Sequence, residues 1–193
     1  MARKTLNTDQ AEGPLARREM RIRKNPETYG ALLAAALQVA GEHGYRETTI
    51  YRVVERANLG VGTFYHYFEA REDLLDSLFP FVQGRLITHL ADSDEPLNAE
   101  QLFELLLAFV DDNANYLRIH NDAQAWRPDL YWVERNRLVD AMGVRLAAHG
   151  ALTPSRLHLL IGIMLAFAQV ARQREARADL EGEARSLLRT IGG

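Results

Sequence analysis

The side chains with the most distinctive chemistry lie in one short stretch, residues 61–68, which combines hydroxyl, phenol and imidazole groups. Phe64 and Phe68 are spaced i, i+4, so on a helix they would share one face and pack in the core. The other side would then present hydrogen-bonding groups where a solvated helix usually carries Lys, Glu and Gln. Such groups can bind phosphate oxygens or touch base edges. The residues on that side are Val61, Thr63, Tyr65, His66 and Tyr67.

Two short helices joined by a tight turn must position these side chains. Apolar residues recur at helical spacing in residues 50–57 and again in residues 61–68, with only Asn58, Leu59 and Gly60 between them. Three residues allow only a tight turn between two steeply crossed helices. Asn58 suits that turn because asparagine tolerates the left-handed conformation. The pattern therefore predicts a helix-turn-helix, and its second helix would be the recognition helix.

Residues 44–74 carry a dense pattern of glycine, threonine, apolar and aromatic positions. The matching residues are Gly44-Tyr45, Thr48-Thr49, Val53-Val54, Ala57-Asn58-Leu59-Gly60, Gly62-Thr63-Phe64-Tyr65, Tyr67-Phe68, Arg71-Glu72 and Leu74. In this segment the chain resembles the TetR family of bacterial one-component transcription regulators. Two positions depart from the family pattern: Val54 stands where Ala is usual, and Gly60 stands where Ser usually caps the recognition helix. A glycine cap costs only a few tenths of a kcal/mol.

The resemblance implies DNA contacts on both sides of the turn. Thr49 and Arg52 would hold phosphate, while Tyr51 would reach a base edge. Arg71, at the start of the next helix, would clamp the DNA backbone from the other flank. The remaining contacts would come from the recognition helix, through the closely approaching Val61 and Gly62 and through Thr63, Tyr65, His66 and Tyr67.

Composition excludes several other classes of protein. The 193-residue chain has no cysteine, which excludes disulfides and thiolate metal sites. No apolar run approaches the ~18 residues that would span a membrane, so we expect no membrane association and a cytoplasmic protein. The formal net charge of −3 is unevenly distributed, because residues 1–25 carry seven Lys or Arg against three Asp or Glu.

This basic N-terminal segment, residues 1–25, is predicted to be a flexible arm. Its cations immediately precede the first helix, where an arm would follow the phosphate backbone or enter an A·T-rich minor groove. The alternative is a disordered leader that only improves solubility, and the sequence leaves both open. The cations are Arg17, Arg18, Arg21, Arg23 and Lys24.

The remaining chain is predicted to be all-α and to form two domains. Residues 26–72 would be a three-helix helix-turn-helix DNA-binding domain, and residues 73–193 a helical effector-binding and dimerisation domain. Asn25 as N-cap and Pro26 at the first helical position predict the start of the first helix, and Gly44 predicts its end. Later helices are expected near 71–91, 98–119, 129–148, 154–175 and 179–190.

Proline and polar residues mark the expected interruptions of these later helices. Pro80 should kink or break the helix that contains it, or divide it into two. Turns are expected at residues 92–96 and at Asn121-Asp122, which is followed by Pro128.

The last two helices are the predicted subunit interface, because in the resembled family two C-terminal helices of each subunit form a four-helix bundle. A homodimer would place two recognition helices at half-sites about 34–36 Å apart. The same apolar residues could instead be core of one chain. They are Leu157, Leu160, Ile161, Met164, Leu165, Ala168, Leu180, Leu187, Leu188 and Ile191, with small Gly162 and Ala166 among them.

The middle helices mix aromatic and polar side chains, as ligand pockets do. We infer an apolar or aromatic small-molecule effector, although the same aromatic residues would also suit an ordinary core. The residues assigned to the pocket are Phe103, Phe109, Tyr116, His120, Trp126, Trp132 and Arg135.

Enzyme chemistry finds no support in the sequence. The six histidines form no i, i+4 metal pair, and neither a Gly-x-Ser-x-Gly elbow nor a phosphate loop occurs. Gly60-Val61-Gly62 begins like a dinucleotide fingerprint, but Tyr65 takes the place of the third glycine. We expect neither catalytic residues, nor a metal, nor a cofactor.

The predicted function is therefore sequence-specific transcriptional regulation. In the resembled family a dimer usually represses from a palindromic operator on double-stranded DNA and is released by an effector. The alternative is a helical adaptor that binds a partner protein through an acidic surface. Salt-dependent binding to duplex DNA would distinguish the two functions.

Overall fold

A computed structural model describes residues 22–23, 25–92, 97–146, 152–171 and 177–192. Over these ranges the chain is helical and contains no strand, which confirms the all-α prediction. None of the described helices is long and apolar enough to cross a membrane. The predicted N-terminal arm lies largely outside the described residues. The helices are α1 Pro26–His43, α2 Ile50–Arg56, α3 Val61–Tyr67, α4 Arg71–Ala91, α5 Ala99–Asp112, α6 Tyr116–Trp126, α7 Pro128–Leu146, α8 Pro154–Ala171 and α9 Arg177–Gly192.

Helix α1 begins and ends where the sequence predicts. The side chain of Asn25 accepts a hydrogen bond from the Thr28 amide at 3.2 Å, and Pro26 occupies the first helical position. At the other end the Gly44 amide donates to the Ala40 carbonyl at 2.7 Å. Gly44 has φ 86° and ψ 166°, a conformation that is almost restricted to glycine. The chain can therefore leave α1 sharply towards α2.

Replacing Gly44 by alanine should lower the free energy of unfolding by about 1–3 kcal/mol, because the backbone conformation there disfavours any side chain. The added methyl would also lie 3.0 Å from the Arg118 guanidinium. The matched control is Gly30→Ala inside α1, where nothing lies within 4 Å of the new Cβ. That change should stabilise the protein by about 0.5–1 kcal/mol. Urea denaturation measures both effects. A Gly44→Ala variant that unfolds at the same urea concentration as the wild type would contradict the prediction.

Helices α2 and α3 form the predicted helix-turn-helix. Asn58 in the turn adopts φ 54°, the left-handed conformation expected for it. Leu59 is half-buried and packs against the core between the two helices. Gly60 precedes α3 without a side-chain cap, as expected for a glycine in the place of serine. The short connection thus sets the crossing of the two helices.

Two predicted features of the middle region are wrong. The helix expected over residues 98–119 is two helices, α5 and α6, because the Asn113 side chain donates to the Phe109 carbonyl at 2.8 Å and ends α5. Asn121 and Asp122 form no turn and lie inside α6. Their side chains instead bind Gln169 and the Tyr45 amide, contacts that the local sequence does not reveal. Pro128 begins α7 directly after Arg127.

Helix α4 continues through Pro80 from Arg71 to Ala91, so the prediction that this proline divides or breaks the helix is wrong. An interior proline costs roughly 3 kcal/mol or more. Leu78, Phe79 and Val82, on both sides of the proline, are all buried in the core. The free energy gained by burying these apolar side chains outweighs the cost of the proline. Helices α1, α5, α6 and α7 pack around α4, which connects the N-terminal domain to the remaining helices.

The apolar residues predicted as a dimer interface on α8 are core residues of this chain. Packing of α8 against α5, α7 and α9 buries that side of the helix. The opposite side, which we call the outward face of α8, carries Leu159, Ile163, Ala166 and Val170. The side chains of Leu180, Leu188 and Ile191 lie outside the described residues. The core residues are Leu157, Leu160, Ile161, Met164, Leu165 and Ala168.

Candidate DNA interface and effector cavity

The recognition helix α3 packs its apolar side inwards and leaves a polar side exposed. Phe64 and Phe68 are almost fully buried, and Phe68 stacks on Tyr29 of α1 with ring centroids 5.5 Å apart. On the other side Tyr65 keeps 53% of its surface exposed, and His66 is exposed as well. Phe64, Tyr65 and His66 of α3, and Phe68 directly after it, lie on the sides that the sequence predicts.

Three further residues of α3 occupy different environments. Gly62 is exposed, and Val61 and Thr63 are partly buried at the border of the polar side. A Cβ added at Gly62 would meet nothing within 4 Å, so the protein's own packing leaves this position open. The absence of a side chain at Gly62 therefore suits an external surface that approaches α3 closely.

Tyr67 does not face outwards, and that part of the prediction is wrong. Only 5% of its surface is exposed, and its hydroxyl donates to the Asn25 carbonyl at 3.4 Å. The reason is geometric: Tyr67 lies three residues after Phe64, so the two share the buried face of α3. Its ring contacts Tyr29, with centroids 6.0 Å apart. Tyr67 stabilises the packing of α3 against α1 and is a poor candidate for a phosphate contact.

The start of α2 presents the next group of predicted contacts. Tyr51 is exposed over 74% of its surface. Thr49 caps α2, since its hydroxyl accepts a hydrogen bond from the Arg52 amide at 3.3 Å. The exposed Arg52 guanidinium donates to the Glu47 carbonyl at 2.9 Å. These side chains lie on the surface of the helix-turn-helix, and intrachain hydrogen bonds orient two of them.

Arg71 contacts the loop between α1 and α2. Its guanidinium donates to the Tyr45 and Arg46 carbonyls at 3.3 and 3.5 Å. Its Nε lies 3.6 Å from the Glu72 carboxylate, and about one third of the side chain is exposed. The sequence predicts a phosphate clamp at this position, whereas the structure adds an intrachain role in holding that loop against α4.

A cavity of about 290 Å³ lies between α6, α7 and α8. It contains two of the predicted ligand residues, His120 and Arg135. Gln124 and Tyr131 belong to the mixture of aromatic and polar side chains that the sequence shows in the middle helices. Gly162, Leu165 and Ala166 of α8 were assigned to the subunit interface instead. Eight residues line the cavity besides His120 and Arg135. They are Leu117, Asn121, Gln124, Tyr131, Gly162, Leu165, Ala166 and Gln169.

The other five predicted ligand residues do not line this cavity. Phe103 is core and contacts the Phe167 ring, and Tyr116 is fully buried with its hydroxyl donating to Gln83 at 3.0 Å. Trp132 is largely exposed on α7. The remaining two line separate cavities, Trp126 one of about 380 Å³ beside α4 and Phe109 one of about 510 Å³ between α4 and α5.

Hydrogen bonds organise the polar side of the 290 Å³ cavity. The Tyr131 hydroxyl lies 3.2 Å from His120 Nε2, and Asn121 donates to Gln169 at 2.8 Å. Burial lowers the pKa of His120 to about 4, since a charged imidazole would lose its hydration there. His120 is therefore neutral near pH 7. Arg135 carries the charge in this cavity and is buried, with its Nη2 donating to the His158 carbonyl at 3.0 Å.

The N-terminal half of the chain matches known proteins. Residues 32–78 match the family described as bacterial regulatory proteins, tetR family. The fatty acid metabolism regulator protein of Bacillus subtilis (strain 168) is 31% identical over 86 residues, which span 44% of this chain and 44% of that relative. The similarity to the tetR family therefore covers α2 and α3 together with most of α1 and the start of α4. The chain spans less than half the length of this relative.

Solved structures of other regulators share the fold of this chain over most of its length. A transcriptional regulator from Aquifex aeolicus VF5 is 22% identical with a TM-score of 0.64, and the match covers 85% of this chain and 99% of that one. FadR from Bacillus subtilis, solved in complex with stearoyl-CoA, is 19% identical with a TM-score of 0.65, over 86% and 98% of the two chains. The likeness in fold to these structures thus extends into the helical C-terminal part.

Helix α6 contacts both the cavity and the helix-turn-helix region. On one side, its residues Leu117, His120 and Asn121 line the cavity. On the other, Arg118 donates to the Gly41 and Glu42 carbonyls at 3.1 Å each. The Asp122 carboxylate accepts the Tyr45 amide at 3.0 Å.

The C-terminal end of α6 extends these contacts. The Arg46 guanidinium lies 5.6 Å from the ring centroid of Trp126, within cation–π range. Arg127, directly after α6, pairs with Asp76 of α4 and with Asp129. Hydrogen bonds to Asp129 and Asp76 raise the pKa of Arg127, which keeps it charged. One rigid helix therefore joins the cavity to the loop that precedes α2.

Proposed function

We propose that this regulator is a repressor that binds a palindromic operator as a dimer and is released by a small-molecule effector. The exposed polar side of α3 carries the proposal, because its phenol and imidazole groups project from a helix whose other side packs on buried aromatic rings. Residues 26–72 would bind DNA, and residues 73–193 would bind the effector and form the dimer. The residues that we assign to DNA contact are Thr49, Tyr51, Arg52, Val61, Gly62, Thr63, Tyr65, His66 and Arg71.

Replacing Gly62 by alanine should weaken operator binding about 10-fold or more, because the new methyl would meet the DNA at its closest approach. The fold should be unaffected or slightly more stable, since nothing in the protein lies within 4 Å of that Cβ. Fluorescence anisotropy with labelled operator measures the affinity. Gly84→Ala in α4, which is also free of neighbours within 4 Å, is the matched control. Equal losses in both variants would contradict a specific contact at Gly62.

The outward face of α8 supports dimerisation. Leu159 and Val170 are exposed although they are apolar, and Leu187 of α9 is exposed as well. A monomer in water gains nothing from such a face, whereas a second copy would bury it. We propose that α8 and α9 of two subunits form the dimer through this face. The two copies of α3 would then bind successive turns of the operator.

The 290 Å³ cavity is our proposed effector site. Effector binding would shift the cavity-lining residues of α6, and Arg118 and Asp122 on the same helix would carry that shift to the loop before α2. Such coupling requires that the effector bind the DNA-free conformation more tightly than the DNA-bound one. The apolar or aromatic body of an effector would contact Leu117, Leu165 and Tyr131.

The size of the cavity restricts the effector. Ligand cavities usually measure roughly 300–1,000 Å³, and this one is at the lower end at about 290 Å³. The stearoyl-CoA bound by the FadR structure is a far larger molecule. We therefore propose a small effector for this protein.

Sequence enrichment from random duplex DNA, repeated across a salt series, tests the proposed function. We expect a palindrome whose half-sites lie about one helical turn apart, bound with a steep dependence on salt. Tyr65→Phe, which removes one hydroxyl and keeps the ring, should weaken the recovered site. Weak salt-sensitive binding without enrichment would refute sequence-specific regulation by this chain and favour a helical adaptor.

A further inference from the structure

Arg135 is a buried cation that forms no ion pair with any described residue. Only 6% of its surface is exposed, although it lines the effector cavity. Its Nη2 donates to the His158 carbonyl, but its Nη1 is buried without a hydrogen-bond partner. No carboxylate of the described residues lies within salt-bridge distance of it. Glu134, its buried neighbour, pairs with Arg137 at 2.7 Å instead.

This arrangement destabilises the folded protein. Burying a guanidinium without a counter-charge forfeits its hydration, and burial accordingly lowers the pKa of Arg135. An apolar side chain of the same size would avoid that cost. An unpaired arginine at this position therefore favours a ligand that supplies the missing negative charge.

The remaining lining groups restrict which anion fits. His120 is neutral, and the amides of Asn121 and Gln169 bind each other, so Arg135 is the one charged residue among the described lining residues. A single positive charge matches a monoanion. A phosphate dianion would leave about one negative charge uncompensated. The planar guanidinium fork also matches the geometry of a carboxylate.

We propose that the effector is a small organic carboxylate whose carboxylate group pairs with the Arg135 guanidinium. The inference rests on the proposed effector site and names the chemistry that this site selects. The carboxylate would pair with the guanidinium where Arg135 borders the cavity, and the apolar body of the ligand would contact Leu117, Leu165 and the Tyr131 ring. A cavity of about 290 Å³ limits that body to a short aliphatic chain or a single aromatic ring.

Calorimetric titration of the full chain tests the proposal with butyrate, hexanoate, octanoate, benzoate and phenylacetate. Each acid is paired with its primary amide, and phenyl phosphate and stearoyl-CoA complete the panel. We expect at least one carboxylate to bind while its amide binds at least about 10-fold more weakly, because the amide lacks the charge. Absence of binding by every carboxylate, equal binding of acid and amide, or preference for phenyl phosphate or stearoyl-CoA would each overturn the proposal.

Variants locate the interaction at Arg135. Arg135→Met should weaken carboxylate binding by about 10- to 100-fold, the loss expected for hydrogen bonds to a charged group. Arg156→Met, at an exposed arginine on α8, is the matched control and should bind as the wild type does. Unchanged binding by Arg135→Met would overturn the assignment.

Two further measurements separate the ways in which this inference could fail. Arg135→Met should melt at the same temperature as the wild type or higher, since it removes an unpaired buried charge. If Arg135→Met does not fold, Arg135→Lys replaces it, because lysine keeps the positive charge but lacks the planar guanidinium fork. Carboxylate binding by Arg135→Lys that is as tight as in the wild type would then overturn the proposal. Operator binding is measured without ligand, so failure of DNA recognition is distinguished from failure of carboxylate binding.

Discussion

Replacing Leu159 by glutamate should convert the proposed dimer into a monomer and weaken operator binding by roughly 100- to 10,000-fold, the range over which linking two sites raises affinity. Leu159 is 57% exposed on the outward face of α8, so a charge there costs the monomer little. In the dimer the same charge would be buried against a second apolar helix without a partner. Light scattering after gel filtration gives the mass, and anisotropy gives the operator affinity.

Val144→Glu is the matched control for this substitution. Val144 is 77% exposed on α7 and does not belong to the outward face of α8. The control variant should remain dimeric and bind operator normally. A dimeric Leu159→Glu variant, or equal dissociation of both variants, would place the subunit interface elsewhere. Circular dichroism on both variants checks that the helical fold is intact.

Acidification from pH 7 to pH 4 should reduce the free energy of unfolding by up to about 3 kcal/mol through His120 alone. Burial lowers the pKa of this histidine from 6.5 to about 4 in the folded protein. Between these two values the unfolded chain binds a proton that the folded protein does not. Stability attributable to His120 is therefore present above about pH 6.5 and is lost as the pH falls towards 4.

Urea denaturation between pH 7.5 and pH 4 measures this effect. His120→Gln should flatten the pH dependence within that window, because glutamine does not titrate there. His43→Gln, at an exposed histidine at the end of α1, is the control and should follow the wild-type curve. Parallel curves for His120→Gln and wild type would show that His120 does not contribute. Carboxylates titrate in all three proteins, so the difference between curves isolates the histidine.

The helix-turn-helix could be predicted from sequence because its signals are local. The ends of α1 follow from the capping and backbone preferences of Asn25, Pro26 and Gly44. The turn after α2 follows from the tolerance of Asn58 for the left-handed conformation. The burial of Phe64 and Phe68 follows from their spacing on one helix. Tyr67 was misplaced because the apolar stripe is wider than the i, i+4 pair and includes position i+3.

The effector cavity could be predicted only in part because it depends on contacts between distant segments. Asn121 resembles a turn residue in the local sequence, yet it lies inside α6 because its amide contacts Gln169 of α8. Aromatic composition pointed to Phe103 and Trp132, which lie in the core and on the surface respectively. Residue type alone does not distinguish a cavity wall from either environment.

The helical fold, the position of the helix-turn-helix and the expectation that α3 faces DNA all follow from the sequence alone. These properties depend on interactions between residues a few positions apart, which periodicity, capping and turn preferences report directly. Sequence patterns did not reveal that Pro80 stays within one helix, that the α8 stripe is core, or that Arg135 is buried with no ion pair to the described residues. Those outcomes depend on how α4, α6, α7 and α8 pack together. Packing between helices distant in sequence sets burial and charge pairing, and it leaves no local pattern.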